Sequence, residues 1–326
     1  MILYTKIRKR LFSDRFNYEY GLTKKEIELM RRDYKIKFVK EEVPAIAIFC
    51  LDNRSYSYGF ADRLRGIVSC YAFAKAIGIP FRIEHINPFD LSEFLVPNEY
   101  DWKLKEGEKS TNLLYANPVC FVQNRIDMRS MRLFRINKKR QHHLYTNASY
   151  IEEVNEKYKK NYVFGDLFAE LFKPSFSLKK KIDEQKGQIG GSYISVSFRF
   201  VQLMGDFKDD NGEVLTEKEK NDLLNKSLAV VMSLYEQNQK TILVTSDSQT
   251  FIDAASKLDY VHVVSGKIGH IGYSQDNEVF EKMFLDFCLI SQADHVYMAY
   301  SDKMYRSNFA KTAALANNIP YTEIAF

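Results

Sequence analysis

The sequence predicts an α/β protein built as two lobes. From Tyr193 onward, short apolar runs rich in β-branched residues alternate with stretches of helical period, the pattern of a parallel sheet with crossover helices. A separate strand–loop–helix–strand unit runs from Pro44 to Ile83. The length, 326 residues, accommodates two ordinary domains. An apolar share of 45% with only 14 Gly and 7 Pro excludes disordered, collagen-like and low-complexity chains.

In order, Lys24 to Arg32 is helix-competent behind Thr23 as a cap. Pro44 to Leu51 reads as a buried strand, short and apolar. Asp52 to Gly59 is a loop of turn residues. Phe60 to Ile77 reads as a helix with Phe60, Leu64, Ile67, Val68 and Tyr71 on its apolar stripe, stopped by Gly78. Ile79 to Ile83 is the next strand. Asp90 to Ser110 reads as loop, and Arg125 to Arg140 is strongly basic. His142 to Thr146 is a strand; Tyr150 to Lys160 and Phe164 to Phe172 are helical by period. Leu178 to Gly191, charged and then bounded by glycine, reads as the inter-lobe connection.

Beyond it come strands at Tyr193 to Phe198, Thr241 to Thr245, Val261 to Val264, His295 to Ala299 and Pro320 to Ile324. Helices are expected at Thr216 to Gln237, Gln249 to Lys257, Asn277 to Gln292 and Tyr305 to Asn317. The expected organisation is a basic arm over 1–40, an N-terminal lobe over 41–185 and a C-terminal lobe over 186–326.

Charge is concentrated at the start. Residues 1–40 carry twelve Lys/Arg against five Asp/Glu, and the rest of the chain 35 against 37. A nucleic-acid binder would put its basic surface on the folded body, so nucleic acid is not an expected partner. A basic arm interleaved with Ile, Leu, Phe and Tyr suits peripheral contact with an anionic membrane; the plain alternative is a solvated segment. The 21 Tyr and 24 Phe suit large cores before carbohydrate clefts. Cys50, Cys70, Cys120 and Cys288 show neither zinc nor redox spacing and sit in apolar runs, which suits a reducing cytoplasm. The chain turns basic before any apolar core develops, unlike a signal peptide, and no apolar run is long enough to span a bilayer.

Ligands of parallel sheets bind beyond the carboxyl ends of the strands, so the residues there are the candidate site. The C-terminal lobe offers Ser197, Arg199, Gly205 and Asp206; then Thr245, Ser246 and Asp247; then Ser265 to Gly269; then Ser301 with Ser307, Asn308 and Phe309. Hydroxyls, glycines, carboxylates and an arginine suit a phosphorylated, hydroxylated ligand. Ser307 and Asn308 precede a helix, whose first N–H groups favour an anion. The N-terminal lobe offers Gly59, Asp62, Arg63 and Arg65. Arg63 lies off the Leu64–Ile67 face and is expected to point toward the cleft between lobes, whereas Asp62 is either functional or a helix cap. Phosphate-binding, dinucleotide and zinc-protease motifs are missing. The one histidine pair, His142-His143, would face opposite sides of a strand, so no metal site is expected.

Gly59-Phe-Ala-Asp-Arg-Leu-Arg-Gly66 resembles the Gly-x-Gly-(Asp/Asn)-Arg-Leu element of GT-B fucosyltransferases, the group of α1,2-, α1,6- and protein O-fucosyltransferases and the bacterial nodulation enzyme. Ser197-Phe-Arg199 with Gly205-Asp206 is similar to their His-x-Arg-Arg-x-Asp segment, Thr241 to Asp247 to their second donor-lobe strand, and Ser307-Asn-Phe-Ala-Lys-Thr-Ala313 to their Ser-x-Phe-Ser-Arg-Thr-Ala helix. The order matches from about Pro44 to the end. Ser197 replaces a histidine, Ala61 a glycine and Lys311 an arginine, and the Arg199-to-Asp206 spacing is longer.

The resemblance implies a GT-B-like fold, two Rossmann-like lobes facing a central cleft, and a metal-independent inverting glycosyltransferase. The donor would be GDP-fucose, with no other cofactor. The acceptor would be a glycan or lipid-linked glycan of surface-polysaccharide assembly. Arg199 would stabilise the leaving diphosphate, with Ser307 and Asn308 supporting. Asp206 and Asp247 would hold guanine or ribose or order Arg199, and Asp62 or Asp206 would serve as base. Another nucleotide sugar, or a non-catalytic binding protein on the same scaffold, is the alternative.

Overall fold

The computed structural model describes residues 24–51, 59–121, 139–206, 213–269, 271, 274 and 276–326. Most of the basic arm, the loop after the first strand and the run from Arg125 to Lys138 lie outside them. By contact the chain forms two units, one of residues 1–58, 62–87 and 100–163, the other of 59–61, 88–99 and 164–326. The division falls at Val163/Phe164, earlier than the expected boundary at 185/186.

The first unit contains α1 (Lys24–Asp33), β1 (Ala47–Leu51), most of α2 (Phe60–Ile77), β2 (Phe81–His85), β4 (Ala116–Phe121), β5 (Gln141–Thr146) and α3 (Ile151–Tyr158). Its sheet has the order β2-β1-β5-β4, with all pairs parallel. The inner strands β1 and β5 are buried along their whole length, as strands covered on both faces are. One face, carrying Ile48, Cys50 and Tyr145, packs under Leu29 and Tyr34. The other meets α2, and there Gly66 is required: a Cβ would stand 2.3 Å from the Thr146 carbonyl oxygen and 3.1 Å from the Phe49 ring. β4, which holds Pro118, was not among the expected strands. It is an edge strand, where a missing N–H costs no ladder bond.

His143 is wholly buried in this unit. Its Nδ1 lies 2.5 Å from the Tyr34 hydroxyl and its Nε2 2.7 Å from Gln141 Oε1. Burial holds its pKa well below the ordinary histidine value. It is a satisfied core histidine.

The second unit adds β3 (Leu95–Pro97), α4 (Phe164–Leu171), β6 (Phe172–Pro174), α5 (Phe176–Ile189), β7 (Tyr193–Phe198), α6 (Glu217–Asn238), β8 (Thr241–Ser246), α7 (Gln249–Ala255), β9 (Val261–His262), α8 (Asn277–Ile290), β10 (Val296–Tyr300), α9 (Phe309–Ala316) and β11 (Tyr321–Ala325). β3 and β6 form a small antiparallel ladder inside what read as loop and helix end. Five parallel strands run in the order β11-β10-β7-β8-β9.

Ile194, Val196 and Phe198 of β7 face a core shared with Leu223, Val231 and Leu234 of α6 and Phe251 of α7. Strand alternation sends Tyr193, Ser195 and Ser197 to the other face, where the Tyr193 hydroxyl donates to the Leu289 carbonyl of α8. Aromatics fill much of this unit: Phe284 stacks on Phe94 at 4.3 Å and meets Phe60 edge-on at 4.6 Å. That is where much of the high phenylalanine content goes.

Leu178 to Gly191 is not a connection. Ser175 caps α5 through the Leu178 N–H, Gly190 closes it at φ 77°, and Leu178, Ile182 and Ile189 are buried. The lysine run Lys179 to Lys181 masked an apolar stripe at four- and seven-residue spacing. α6 carries a complete capping box, Thr216 with Glu219.

Candidate active site at the carboxyl end of the second sheet

The strand order reverses between β7 and β10: β8 and β9 extend to one side, β10 and β11 to the other. Such a reversal opens a crevice beyond the carboxyl ends, and it is the usual ligand site of an open parallel sheet. Arg199 leaves β7 on one side of it; residues 301–308 leave β10 on the other. The two loops are joined, because the Tyr305 N–H donates to the Arg199 carbonyl at 3.1 Å.

Arg199 is held by its neighbour from β8. Its Nη1 lies 3.0 Å from Oδ2 of Asp247, while its side chain keeps 21% of its surface exposed. Asp247 is buried and also accepts the backbone N–H groups of Phe200, at 2.7 Å, and Val201, at 2.8 Å. Burial raises its pKa above the ordinary aspartate value, and Arg199 and those N–H groups pull the other way. Both oxygens are thus committed to the loop that carries Arg199. Val201 sits in the left-handed region at φ 56°, a genuine outlier for a β-branched residue. The Asp247 contact fixes this strained turn.

Asp206, expected as base or nucleotide contact, clasps the start of α7. Its Oδ2 accepts from the Ser248 hydroxyl at 2.9 Å and the Thr250 N–H at 2.6 Å. Ser248 caps the same helix through the Phe251 N–H, and the Ser246 hydroxyl accepts the Ser248 N–H at 3.1 Å. Gly205, at φ 80°, makes the turn into Asp206. Ser248, Thr250 and Val201 were not singled out as site residues. Ser248 had a local signal, as a serine preceding a helical run; Val201 had none.

Ser197 and Thr245 are buried and pair with each other, Oγ to Oγ1 at 2.6 Å. Ser301 accepts the Met304 N–H through its carbonyl. The last helix, α9, begins at Phe309 rather than Tyr305, so Ser307 and Asn308 stand just before it. Ser307 Oγ accepts the Phe309 N–H at 3.2 Å. Phe309 itself is a packing residue: its ring lies 5.8 Å from Phe287 and 6.3 Å from Phe60. Lys311 stands over the Tyr321 ring at 6.0 Å.

Gly59 groups with the second unit, beside Phe60 in that aromatic cluster. Asp62 and Arg63 belong to the first unit. Asp62 is ion-paired with Arg65 across the first turn of α2. Arg63 does not reach into an open groove of its own unit. It is 1% exposed, bonded to His85 Nε2 at 3.2 Å and the Asn87 carbonyl at 3.3 Å, and burial lowers its pKa to about 10. Among the described residues, no group of three or more His, Cys, Asp or Glu is placed to hold a metal ion, and no helix is long and apolar enough to cross a membrane.

The fold, two α/β units each built on a parallel sheet, is GT-B-like. Solved structures bear out the fold. The structure superposes on a mutant of Arabidopsis thaliana FUT1 in complex with GDP at a TM-score of 0.57 and 12% identity, covering 98% of this chain and 76% of that one. The α-1,6-fucosyltransferase NodZ soaked with GDP-fucose gives 0.51 at 15% identity, over 86% of this chain and 95% of that one. Fucosyltransferase NodZ from Bradyrhizobium gives 0.52 at 14% identity, over 87% and 96%. No protein-family model and no curated protein matches the sequence.

Proposed function

We propose that the protein is a metal-independent inverting glycosyltransferase that transfers fucose from GDP-fucose to a glycan or lipid-linked glycan acceptor. The observation that carries this is Arg199, clamped by Asp247 at the strand-order reversal of the second sheet. The reading is supported by the fold shared with FUT1, solved with GDP, and NodZ, soaked with GDP-fucose. The second unit is the donor lobe and the first the acceptor lobe, working at the cytoplasmic side of a membrane in surface-polysaccharide assembly.

In this reading the acceptor hydroxyl oxygen bonds to the anomeric carbon of the sugar. The bond from that carbon to the β-phosphate oxygen breaks, and GDP leaves with the electron pair. Arg199 stabilises the charge that develops on the diphosphate, assisted by Ser307, Asn308 and the first N–H groups of α9. Taking up a proton at Asp206 would loosen the start of α7, whereas Asp62 is paired with Arg65 on its own helix, so Asp62 is assigned to accept the proton. Transfer of another nucleotide-linked sugar is the second reading, favoured by the buried Ser197–Thr245 pair where the resemblance has a histidine.

The test is donor turnover by purified protein. GDP should titrate to one site, and GDP-fucose with a panel of glycan acceptors should release GDP and form a fucosylated product, undiminished in excess EDTA. Binding of GDP without turnover of GDP-fucose or any other GDP-sugar would reduce the protein to a binding module. Loss of turnover on chelation, restored by Mg²⁺ or Mn²⁺, would overturn the metal-independent mechanism.

A further inference from the structure

The strap that follows α1 holds apolar side chains out of the fold. Phe38 is 59% exposed and Val39 54%, and Leu114 on the neighbouring segment is 38% exposed. The other exposed large apolar residues among those described stand singly in the sequence. Lys35, Lys37 and Lys40 flank Phe38 and Val39 in sequence and are exposed as well.

The exposure is not fraying, because the backbone beneath is pinned at several points. The Lys35 N–H donates to the Thr111 carbonyl, and the Leu113 N–H to the Lys35 carbonyl, both at 2.9 Å. Asn112, 1% exposed, accepts the Lys37 N–H at 3.1 Å and donates to the Lys37 carbonyl at 2.9 Å. The Tyr115 hydroxyl reaches the Val39 carbonyl at 3.1 Å. Glu41, the nearest carboxylate after the strap, is held by Ser110 and Asn112. Asp33 is paired with Arg32. Of the neighbouring acids, Asp33 and Glu41 are tied to partners and Glu42 is exposed, so three exposed lysines stand against one exposed carboxylate.

We infer that this strap, Lys35 to Lys40 with Leu114, is a docking surface for an anionic lipid bilayer. A pinned apolar segment flanked by lysines matches both layers of such a surface: Phe38, Val39 and Leu114 enter the acyl boundary, and the lysines meet lipid headgroups. Charge complementarity selects the partner, since a solvent-facing wedge built for a second copy would bring lysine against lysine. The sequence next to it adds sign in the same direction, with five Lys/Arg against two Asp/Glu over residues 1–23. This surface lies wholly in the first unit and does not depend on the donor chemistry, so the two proposals stand or fall separately.

The test is flotation of the full chain with vesicles of phosphatidylcholine alone or with 30% phosphatidylglycerol, at low and high salt. The wild type should float with the anionic vesicles only, and less at high salt. Lys37→Ser with Lys40→Ser should weaken binding about thirtyfold at low salt, from ~1 kcal/mol per lysine, and little at high salt. Phe38→Ser with Val39→Ser should weaken it at least tenfold at both. Phe176→Ser, which removes an exposed aromatic elsewhere, should change nothing. Wild type that ignores anionic vesicles, or strap variants that float like wild type, would overturn the proposal. So would a concentration-dependent dimer abolished by the Phe38/Val39 change without vesicle binding, which would make the surface a contact between copies. Circular dichroism and melting temperature, measured alongside, report whether the variants retain the fold.

Discussion

The Arg199 guanidinium lies 3.0 Å from the Asp247 carboxylate, and the same carboxylate holds the two backbone N–H groups that follow Arg199 in sequence. One buried aspartate therefore sets both the charge and the path of the loop. The Arg199 side chain is 21% exposed at the crevice. On this reading Arg199→Ala should lower kcat by 10²–10³-fold, roughly 3–4 kcal/mol, the scale of a lost oxyanion donor. A folded Arg199→Ala protein with near-normal turnover would remove the residue from the mechanism.

Asp247 acts through Arg199. Asp247→Asn turns an amide N–H₂ against a backbone N–H and drops the ion pair, so the strained turn at Val201 relaxes. We expect kcat to fall about 10–100-fold with weaker GDP binding, while Asp247→Glu fails to rescue for want of room. Crystallographic displacement of Arg199 in the variant would confirm the positioning role; an unmoved arginine with lost activity would argue for direct contact of Asp247 with substrate.

Asp206→Asn separates a helix clasp from a base. The amide oxygen can still accept from Ser248 and Thr250, so turnover should stay within about threefold of wild type, the cost of a weakened cap being ~1 kcal/mol or less. Asp62→Asn should be the damaging change, by about 10²-fold or more. If the ranking is reversed in steady-state kinetics, the base assignment moves to Asp206.

His143 predicts an acid limit to stability. Its folded pKa is depressed by burial, so the unfolded chain takes up the proton first as pH falls below about 6.5. Its contribution is intact above that pH and is lost progressively from there down to the folded pKa. Melting temperature should be flat from pH 8 to 7 and decline between pH 6.5 and 5.5. His143→Gln should flatten that decline at the expense of stability near neutrality, because the Tyr34 contact is lost. An unchanged pH profile in the variant would assign the decline to other groups.

Gly66→Ala should destabilise the first unit. The new Cβ would press on the Thr146 carbonyl, which is backbone and cannot rotate away. Overpacking of this kind costs about 1–3 kcal/mol, or several degrees of melting temperature for a chain of this size. The same change at Gly187, where a Cβ would meet nothing within 4 Å, should be harmless, and calorimetry of the two variants compares them directly.

The sequence by itself determined the periodic elements and their ends. Tyr193–Phe198 and Phe60–Ile77 lie where their apolar spacing put them, and Thr216 marks the start of α6 as a capping residue should. These features are written in residues one to four positions apart, so a local reading recovers them. Tertiary structure decided the rest. Ala116–Phe121, with Pro118 inside it, was not expected as a strand and becomes one by pairing with β5 at the sheet's edge. Lysines disguised α5 until Leu178, Ile182 and Ile189 had something to pack on. Phe309, read from the sequence as a ligand contact, is half-buried with its ring near those of Phe60 and Phe287. The Arg199 clamp joins a backbone and a carboxylate 47 residues apart, and the crevice beside it exists only because β10 pairs with β7 instead of β9. Lateral strand order and long-range pairing depend on which surfaces bury best against one another, and neighbours in sequence carry no periodicity that records that choice.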